Sequence, residues 1–165
     1  MDTLILLRHA EAGFASGSVS DFDRPLNSNG LKEAEDIGRQ LISQNRMADV
    51  ILCSSATRAK QTCDGVFHQQ RDAETPSYYR ELYLAPLNTL LDISVEWAAR
   101  ADTLMIIGHN PGLESFLKYL CGSDLPYDAN GTLFSTGNCA VIALAGGIVG
   151  GKGSLVALLR PQLER

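Results

Sequence analysis

Apolar positions along the chain fall into two periodicities. Thr3–Leu7, Asp49–Cys53 and Thr103–Ile107 are short runs dominated by aliphatic residues, and each stops at small or charged residues: Arg8-His9-Ala10, Ser54-Ser55, and Gly108-His109-Asn110-Pro111. Runs of that length with polar stops predict buried strands that open into loops. Between them lie stretches of helical spacing. The first carries Leu31, Ala34, Ile37, Leu41 and Ile42, with Asn27 or Ser28 as N-cap. The second carries Ala59, Thr62, Cys63, Val66 and Phe67, capped from Ser54-Ser55. The third, over Asn88–Arg100, follows Leu87, Leu91, Val95 and Ala98. The fourth carries Leu113, Phe116, Leu117, Leu120 and Cys121, with Asn110 as cap, Pro111 in its first turn and Gly122 at its end.

Gly13–Asp23 is polar and small and reads as a surface loop, and tyrosine-rich Pro76–Leu84 reads as extended. Cys139–Ala145 and Leu155–Leu159 read as two strands around a glycine-rich turn. Strands alternating with helices imply an α/β sheet covered on both faces. With 165 residues and no repeat, linker or low-complexity block, the expected organisation is one domain, 1–165.

Composition narrows the class. At 45% hydrophobic and 20% charged, the chain is neither disordered nor a disulfide-stapled miniprotein. A net charge of −5 argues against duplex nucleic acid as a partner. No apolar run has the length of about 20 residues that spans a bilayer, and the first residues lack the pattern of a signal peptide. The expectation is a cytoplasmic protein with no membrane partner. It is expected to be a monomer, since no coiled coil or long exposed apolar stripe appears. Cys53, Cys63, Cys121 and Cys139 form no CxxC pair and are expected as reduced, buried thiols.

Candidate chemistry concentrates where the strands end. Arg8 and His9 follow the first, Arg58 follows the second through the start of a helix, and His109 follows the third. Ligands of α/β sheets sit outside the carboxyl ends of the strands, so these residues would converge on one pocket. Guanidinium groups stay charged and grip phosphate oxygens bidentately, which suits a small anion-binding pocket, although singly such residues are more often solvated charges or structural histidines. Arg58 also sits in a helical first turn, where the macrodipole disfavours a cation and a bound anion would compensate. His68, the third histidine, follows a helical stripe and is expected at the surface.

Other signals carry less. Gly146–Ser154 resembles a phosphate-binding glycine loop, but Gly153 stands where Ser or Thr should follow Lys152, and a β-rich run follows instead of a helix. It is read as a hairpin turn. Among the three histidines and four cysteines no pair has ligand spacing such as CxxC, HExxH or HxxxH, so no metal or cofactor is expected. Trp97, Phe116 and Tyr119 read as core or half-buried helix residues rather than a base-stacking platform. Tyr78, Tyr79 and Tyr83 are candidates for the pocket wall, with packing as the favoured reading.

Leu7-Arg8-His9-Ala10, Leu26-Asn27-Ser28-Asn29-Gly30, the block from Ser54 to Thr62 and Gly108-His109-Asn110-Pro111 resemble, in order, the motifs of the histidine phosphatase superfamily. The short length, the Arg-His-Ala variant and Arg24-Pro25-Leu26 are most similar to its SixA-like phosphohistidine phosphatases. The resemblance implies a phosphoglycerate mutase-like, three-layer α/β/α sandwich without a large cap insertion. It implies His9 as nucleophile, with Arg8, Arg58 and His109 binding the phosphoryl group. Relatives place a proton donor directly after the second histidine or between the second arginine and that histidine. Asn110 rules out the first arrangement here. Glu81 is the candidate for the second, Glu11 the reserve, and the third possibility is that no dedicated acid exists.

The implied activity is metal-independent removal of phosphate from phosphohistidine of a signalling or phosphotransfer protein. Two alternatives stand beside it: a phosphatase of small phosphomonoesters, and a module that binds phosphorylated partners without turnover.

Overall fold

The computed structural model describes residues 1–14, 17–68 and 75–163. Residues 15 and 16 of the loop expected at Gly13–Asp23, and the last two residues of the chain, lie outside that set.

Eleven elements follow the predicted alternation. They are β1 (Thr3–Arg8), α1 (Ser28–Ser43), β2 (Val50–Ser54), α2 (Thr57–Phe67), β3 (Ser77–Tyr79), a 3₁₀ turn (Arg80–Leu82), α3 (Leu87–Trp97), β4 (Thr103–Gly108), α4 (Gly112–Cys121), β5 (Cys139–Leu144) and β6 (Gly153–Leu159). The strands form one six-stranded sheet in the order β3-β2-β4-β1-β5-β6. The first four run parallel, and β5 is antiparallel to both β1 and β6.

Successive side chains of a strand point to opposite faces, and the two cores follow that period. Leu4 and Leu6 join Leu104, Ile106, Phe116 and Leu117 on the face covered by α3 and α4. Ile5 and Leu7 join Met105, Ile107, Ile37 and Cys63 on the face covered by α1 and α2. The result is the expected α/β/α sandwich. Burying both faces explains why the central strands read as unbroken apolar runs.

Register positions the chemistry. Arg8 at the end of β1 pairs with Gly108 at the end of β4, and Cys53 of β2 pairs with Ile107 of β4. Ser54, the last residue of β2, and His9 and His109, directly after β1 and β4, therefore share one edge of the sheet.

Several local expectations are corrected. Leu31 and Ile42 are 48% and 40% exposed, because α1 buries the stripe through Gly30, Ala34, Ile37 and Leu41 instead. Helix α3 begins at Leu87, and Val95 is exposed while Leu90 and Ser94 are buried. The Pro76–Leu84 segment is extended only to Tyr79 and then closes into the 3₁₀ turn. Ser54 does not cap α2; its Oγ accepts from Ala56 N–H, and Ala56 occupies the cap position. Asn110 does not cap α4, which starts after a cis Asn110–Pro111 bond. Asn27 does cap α1, its side chain accepting from Gly30 N–H at 2.8 Å. All four cysteines are free thiols, three buried and Cys121 half-buried.

Candidate active site

His9, Arg58 and His109 form a buried cluster at the carboxyl edge of β1, β2 and β4. The two imidazole rings lie 5.1 Å apart, and both residues are less than a tenth exposed. His9 Nδ1 faces the backbone carbonyl of Ala10 at 2.8 Å. A carbonyl only accepts, so the neutral ring carries its proton on Nδ1 and leaves the lone pair on Nε2. Arg58 Nε donates to that Nε2 at 3.2 Å. The nitrogen with nucleophilic character thus points into the space bordered by the guanidinium.

His109 is fixed in the opposite sense. Arg58 Nη2 approaches its Nδ1 at 3.4 Å, and a guanidinium only donates, so Nδ1 accepts and Nε2–H donates to Ser54 Oγ at 2.8 Å. Ser54 is buried at the end of β2, a placement its sequence context suggested only as a helix cap.

Burial and neighbouring cations keep both rings neutral. Desolvation is the main cause that brings His9 down to about 4, with Arg58, Arg8 and Arg24 adding to it against the opposing Ala10 hydrogen bond. Desolvation, then His9 and Arg58, bring His109 down to about 3. At neutral pH His9 is an unprotonated imidazole, the form that can attack phosphorus.

Two further arginines surround the cluster. Arg8 Nη1 donates to the Phe134 carbonyl at 2.8 Å, while its Nε is buried with no protein partner. Asn110 Nδ2 donates to the same carbonyl at 2.8 Å, so the segment before β5 anchors both the β1 and β4 loops. Arg24 donates through Nε to Asp21 Oδ1 at 2.9 Å and through Nη1 to the Gly13 carbonyl at 2.9 Å. Thr62 Oγ1 donates to the Arg58 carbonyl at 2.7 Å and accepts from Ala10 N–H at 3.0 Å, tying α2 to the residue after His9.

The structure brings together Arg8, His9, Arg58 and His109, and it does not bring Glu81 to them. Glu81 is exposed on the 3₁₀ turn and faces a cavity shared with Tyr79, Thr89, Asp92, Ile93 and Glu96. Two residues on, Tyr83 turns the other way and sets its ring edge against His109 at 5.4 Å. Glu81 lies within the 3₁₀ turn and Tyr83 on the extended backbone just past it, so the two side chains of one short segment diverge. Glu11 is also engaged elsewhere: Asn27 and Asn29 donate to its two oxygens at 2.6 and 2.7 Å and hold it below the usual carboxylate range.

The carboxylate that does touch the cluster is Asp21, which sequence reasoning left within a polar loop. Its Oδ2 accepts from Tyr83 Oη at 2.6 Å and from Arg58 Nη2 at 3.1 Å, and its backbone carbonyl accepts from Arg58 Nη1. The Tyr83 hydrogen bond first, then the arginines, push it down to about 2. His68 is exposed at the end of α2, away from these groups. Among the described residues no group of three or more His, Cys, Asp or Glu side chains is arranged to hold a metal ion, and no helix is long and apolar enough to cross a membrane.

Geometry of this kind can bind a phosphoryl dianion among guanidinium groups and present a neutral imidazole to it. Comparison with known proteins agrees. Residues 4–84 match the model of the histidine phosphatase superfamily (branch 1). A Mycobacterium tuberculosis protein of unassigned function is 34% identical over 145 residues, covering 85% of this chain and 88% of its own. A protein named SixA from Agrobacterium tumefaciens superposes with a TM-score of 0.87 at 31% identity, over 97% of this chain and 98% of its own. A protein histidine phosphatase SixA complexed with tungstate shares the fold, with a TM-score of 0.80 at 21% identity over 96% and 97% of the two chains. The chain belongs to the histidine phosphatase superfamily, as a SixA-like phosphatase.

Proposed function

We propose that this phosphatase removes the phosphoryl group from phosphohistidine on a protein, through a covalent phosphohistidine at His9. The observation that carries the substrate class is the state of the carboxylates. Among the described residues, Asp21 is the carboxylate bonded to the cluster, and it is held ionised near 2 by Tyr83, Arg58 and Arg24. An ionised carboxylate does not donate a proton. Glu81 and Glu11 have partners or surroundings away from His9. An alkoxide leaving group needs a proton as its bond to phosphorus breaks. An imidazole does not: with its far nitrogen protonated, the phosphorylated ring leaves as neutral imidazole, a group whose conjugate acid has a pKa of about 6.5.

The steps follow from the chain's own groups. His9 Nε2 attacks phosphorus as the substrate N–P bond breaks, and Nδ1–H donating to Ala10 O steadies the cationic ring that forms. Arg8, Arg58 and His109 hold the equatorial oxygens, so that positioning and charge stabilisation supply most of the acceleration. Water then attacks the phosphoenzyme, the His9 N–P bond breaks, and phosphate leaves. Three cationic or donor side chains perform the charge stabilisation, and the reading requires no metal. The substrate is a phosphorylated protein in this account, and the whole of residues 1–165 is one catalytic domain.

Rapid acid-free quenching during turnover tests the intermediate. The expected result is an acid-labile, alkali-stable phosphoryl label on the peptide containing His9, absent from His9→Ala. A label on any other residue would remove His9 from the mechanism.

A further inference from the structure

Arg58 divides its donors between two edges. Nε faces His9 Nε2 at 3.2 Å and Nη2 reaches towards His109 Nδ1 at 3.4 Å, so this edge looks into the space between the two imidazoles. The opposite edge is taken by one residue. Asp21 accepts from Arg58 Nη2 through Oδ2 at 3.1 Å and from Nη1 through its backbone carbonyl. Arg58 is 2% exposed and reaches this position from the first turn of α2 on a long side chain. Asp21 belongs to no helix or strand and its side chain is 49% exposed, yet it is fixed from several sides. Tyr83 Oη donates to Oδ2 at 2.6 Å, Arg24 Nε donates to Oδ1 at 2.9 Å, and Thr57 N–H at the start of α2 donates to the next carbonyl, Phe22 O, at 3.1 Å. Phe22 in turn packs edge-on against Tyr83 at 4.9 Å.

We infer that Asp21, held by Tyr83, is a positioning residue that fixes the guanidinium of Arg58 with its Nε/Nη2 edge towards the phosphoryl group. A planar guanidinium has five N–H donors in a rigid fork. With Asp21 on the outer edge, the inner donors face the equatorial oxygens of a phosphoryl group whose phosphorus is in line with His9 Nε2. Without it, the outer donors are free to compete for the same oxygens, and the fork rotates away from the attack line. Charge supports the same assignment: the carboxylate lies on the far side of the guanidinium from the imidazoles, so it orients Arg58 without occupying the phosphoryl position. Buried Arg58 keeps the Asp21 backbone carbonyl, His9 Nε2 and His109 Nδ1 as partners when the carboxylate becomes an amide, whose oxygen still accepts, so the effect falls on turnover.

The inference rests on Arg58 being a phosphoryl-binding group, and the test separates the two. Asp21→Asn is expected to keep the melting temperature of the parent and to lower kcat on an aryl phosphate by about 10- to 100-fold with KM little changed. Inhibition by orthovanadate, which imitates the five-coordinate transition state, should weaken by a similar factor, while inhibition by inorganic phosphate changes little. Tyr83→Phe, which removes one hydrogen bond from the same carboxylate, should show a smaller loss of the same kind, and it serves as the test if Asp21→Asn fails to fold. In an Arg58→Lys background, Asp21→Asn should cost nothing more. Wild-type kcat and vanadate affinity in Asp21→Asn beside an impaired Arg58→Lys would overturn the inference alone. Losses that multiply in the double variant would overturn it too. A fully active Arg58→Lys would overturn the phosphoryl-binding role of Arg58, and this inference with it.

Discussion

Arg58 Nε lies 3.2 Å from His9 Nε2, on the lone pair that the Nδ1–H bond to Ala10 O leaves free. A residue of the first turn of α2 thus covers, on the loop after β1, the nitrogen proposed to attack phosphorus. In the proposed mechanism, phosphoryl oxygens take over the Arg58 N–H donors and so free the His9 Nε2 lone pair to attack.

Replacing Arg58 with Lys keeps the charge and loses the fork. Because oxyanion stabilisation by one oriented donor is worth about 10²–10³ in kcat, Arg58→Lys should lose turnover by that order on an aryl phosphate. Steady-state kinetics beside a thermal melt checks this, and wild-type kcat in the folded variant contradicts it.

The two buried imidazoles should titrate far below an ordinary histidine. His9 is surrounded by Arg58, Arg8 and Arg24, and His109 by His9, Arg58, Arg8 and the opposing charge of Asp21, in addition to their burial. NMR titration of the ring signals should place His9 near 4 and His109 near 3. Both groups have folded values below the unfolded one of about 6.5, so the unfolded chain binds more protons between these limits. Stability is therefore full above about pH 6.5 and declines as pH falls towards 4, and His109→Asn should flatten that decline. Titration of either ring above pH 6 contradicts the electrostatics described.

Glu81→Gln should leave turnover unchanged on both phosphohistidine and aryl phosphate, since Glu81 faces the cavity beside α3 and not the imidazoles. A selective loss on the aryl ester would return Glu81 to the role of proton donor.

Two glycines keep the motif loops closely seated. A Cβ on Gly30 would stand 2.1 Å from the Glu11 carbonyl oxygen, and one on Gly112 would stand 1.9 Å from that of Ala85. Both neighbours are backbone and cannot swing aside. Gly30→Ala and Gly112→Ala should each destabilise the fold by about 1–3 kcal/mol, as overpacking does, measured by denaturant unfolding. Gly112→Ala should also reduce turnover, because the clash displaces the turn that carries His109.

The parts legible in the sequence were those set by periodicity and by strand ends. Leu4 to Leu7 and Leu104 to Ile107 are apolar on both faces because both faces are covered, and Arg8, His9 and His109 follow directly from where those strands stop. Arg58 was visible because a cation in a helical first turn needs an anion. The missed parts depend on long-range contacts that carry no local pattern. Asp21 sits 37 positions from Arg58, and Phe134 supplies its carbonyl to Arg8 from 126 positions away. A carbonyl has no residue identity to read. Tyr83 and Glu81 shared one short segment, and only the 3₁₀ turn decides which of them faces the histidines. Leu31, Ile42 and Val95 were assigned to stripes whose rotation about the helix axis is fixed by packing against neighbours rather than by spacing.

Phosphate release from a carrier protein phosphorylated on histidine, measured beside an aryl phosphate with chelator present and His9→Ala as control, tests the central claim most directly. The account predicts release from both substrates, a higher kcat/KM on phosphohistidine, no effect of chelator, and no turnover in His9→Ala. Release that survives His9→Ala would contradict the mechanism. A higher kcat/KM on the aryl ester would contradict the phosphohistidine assignment and make this a phosphatase of small esters.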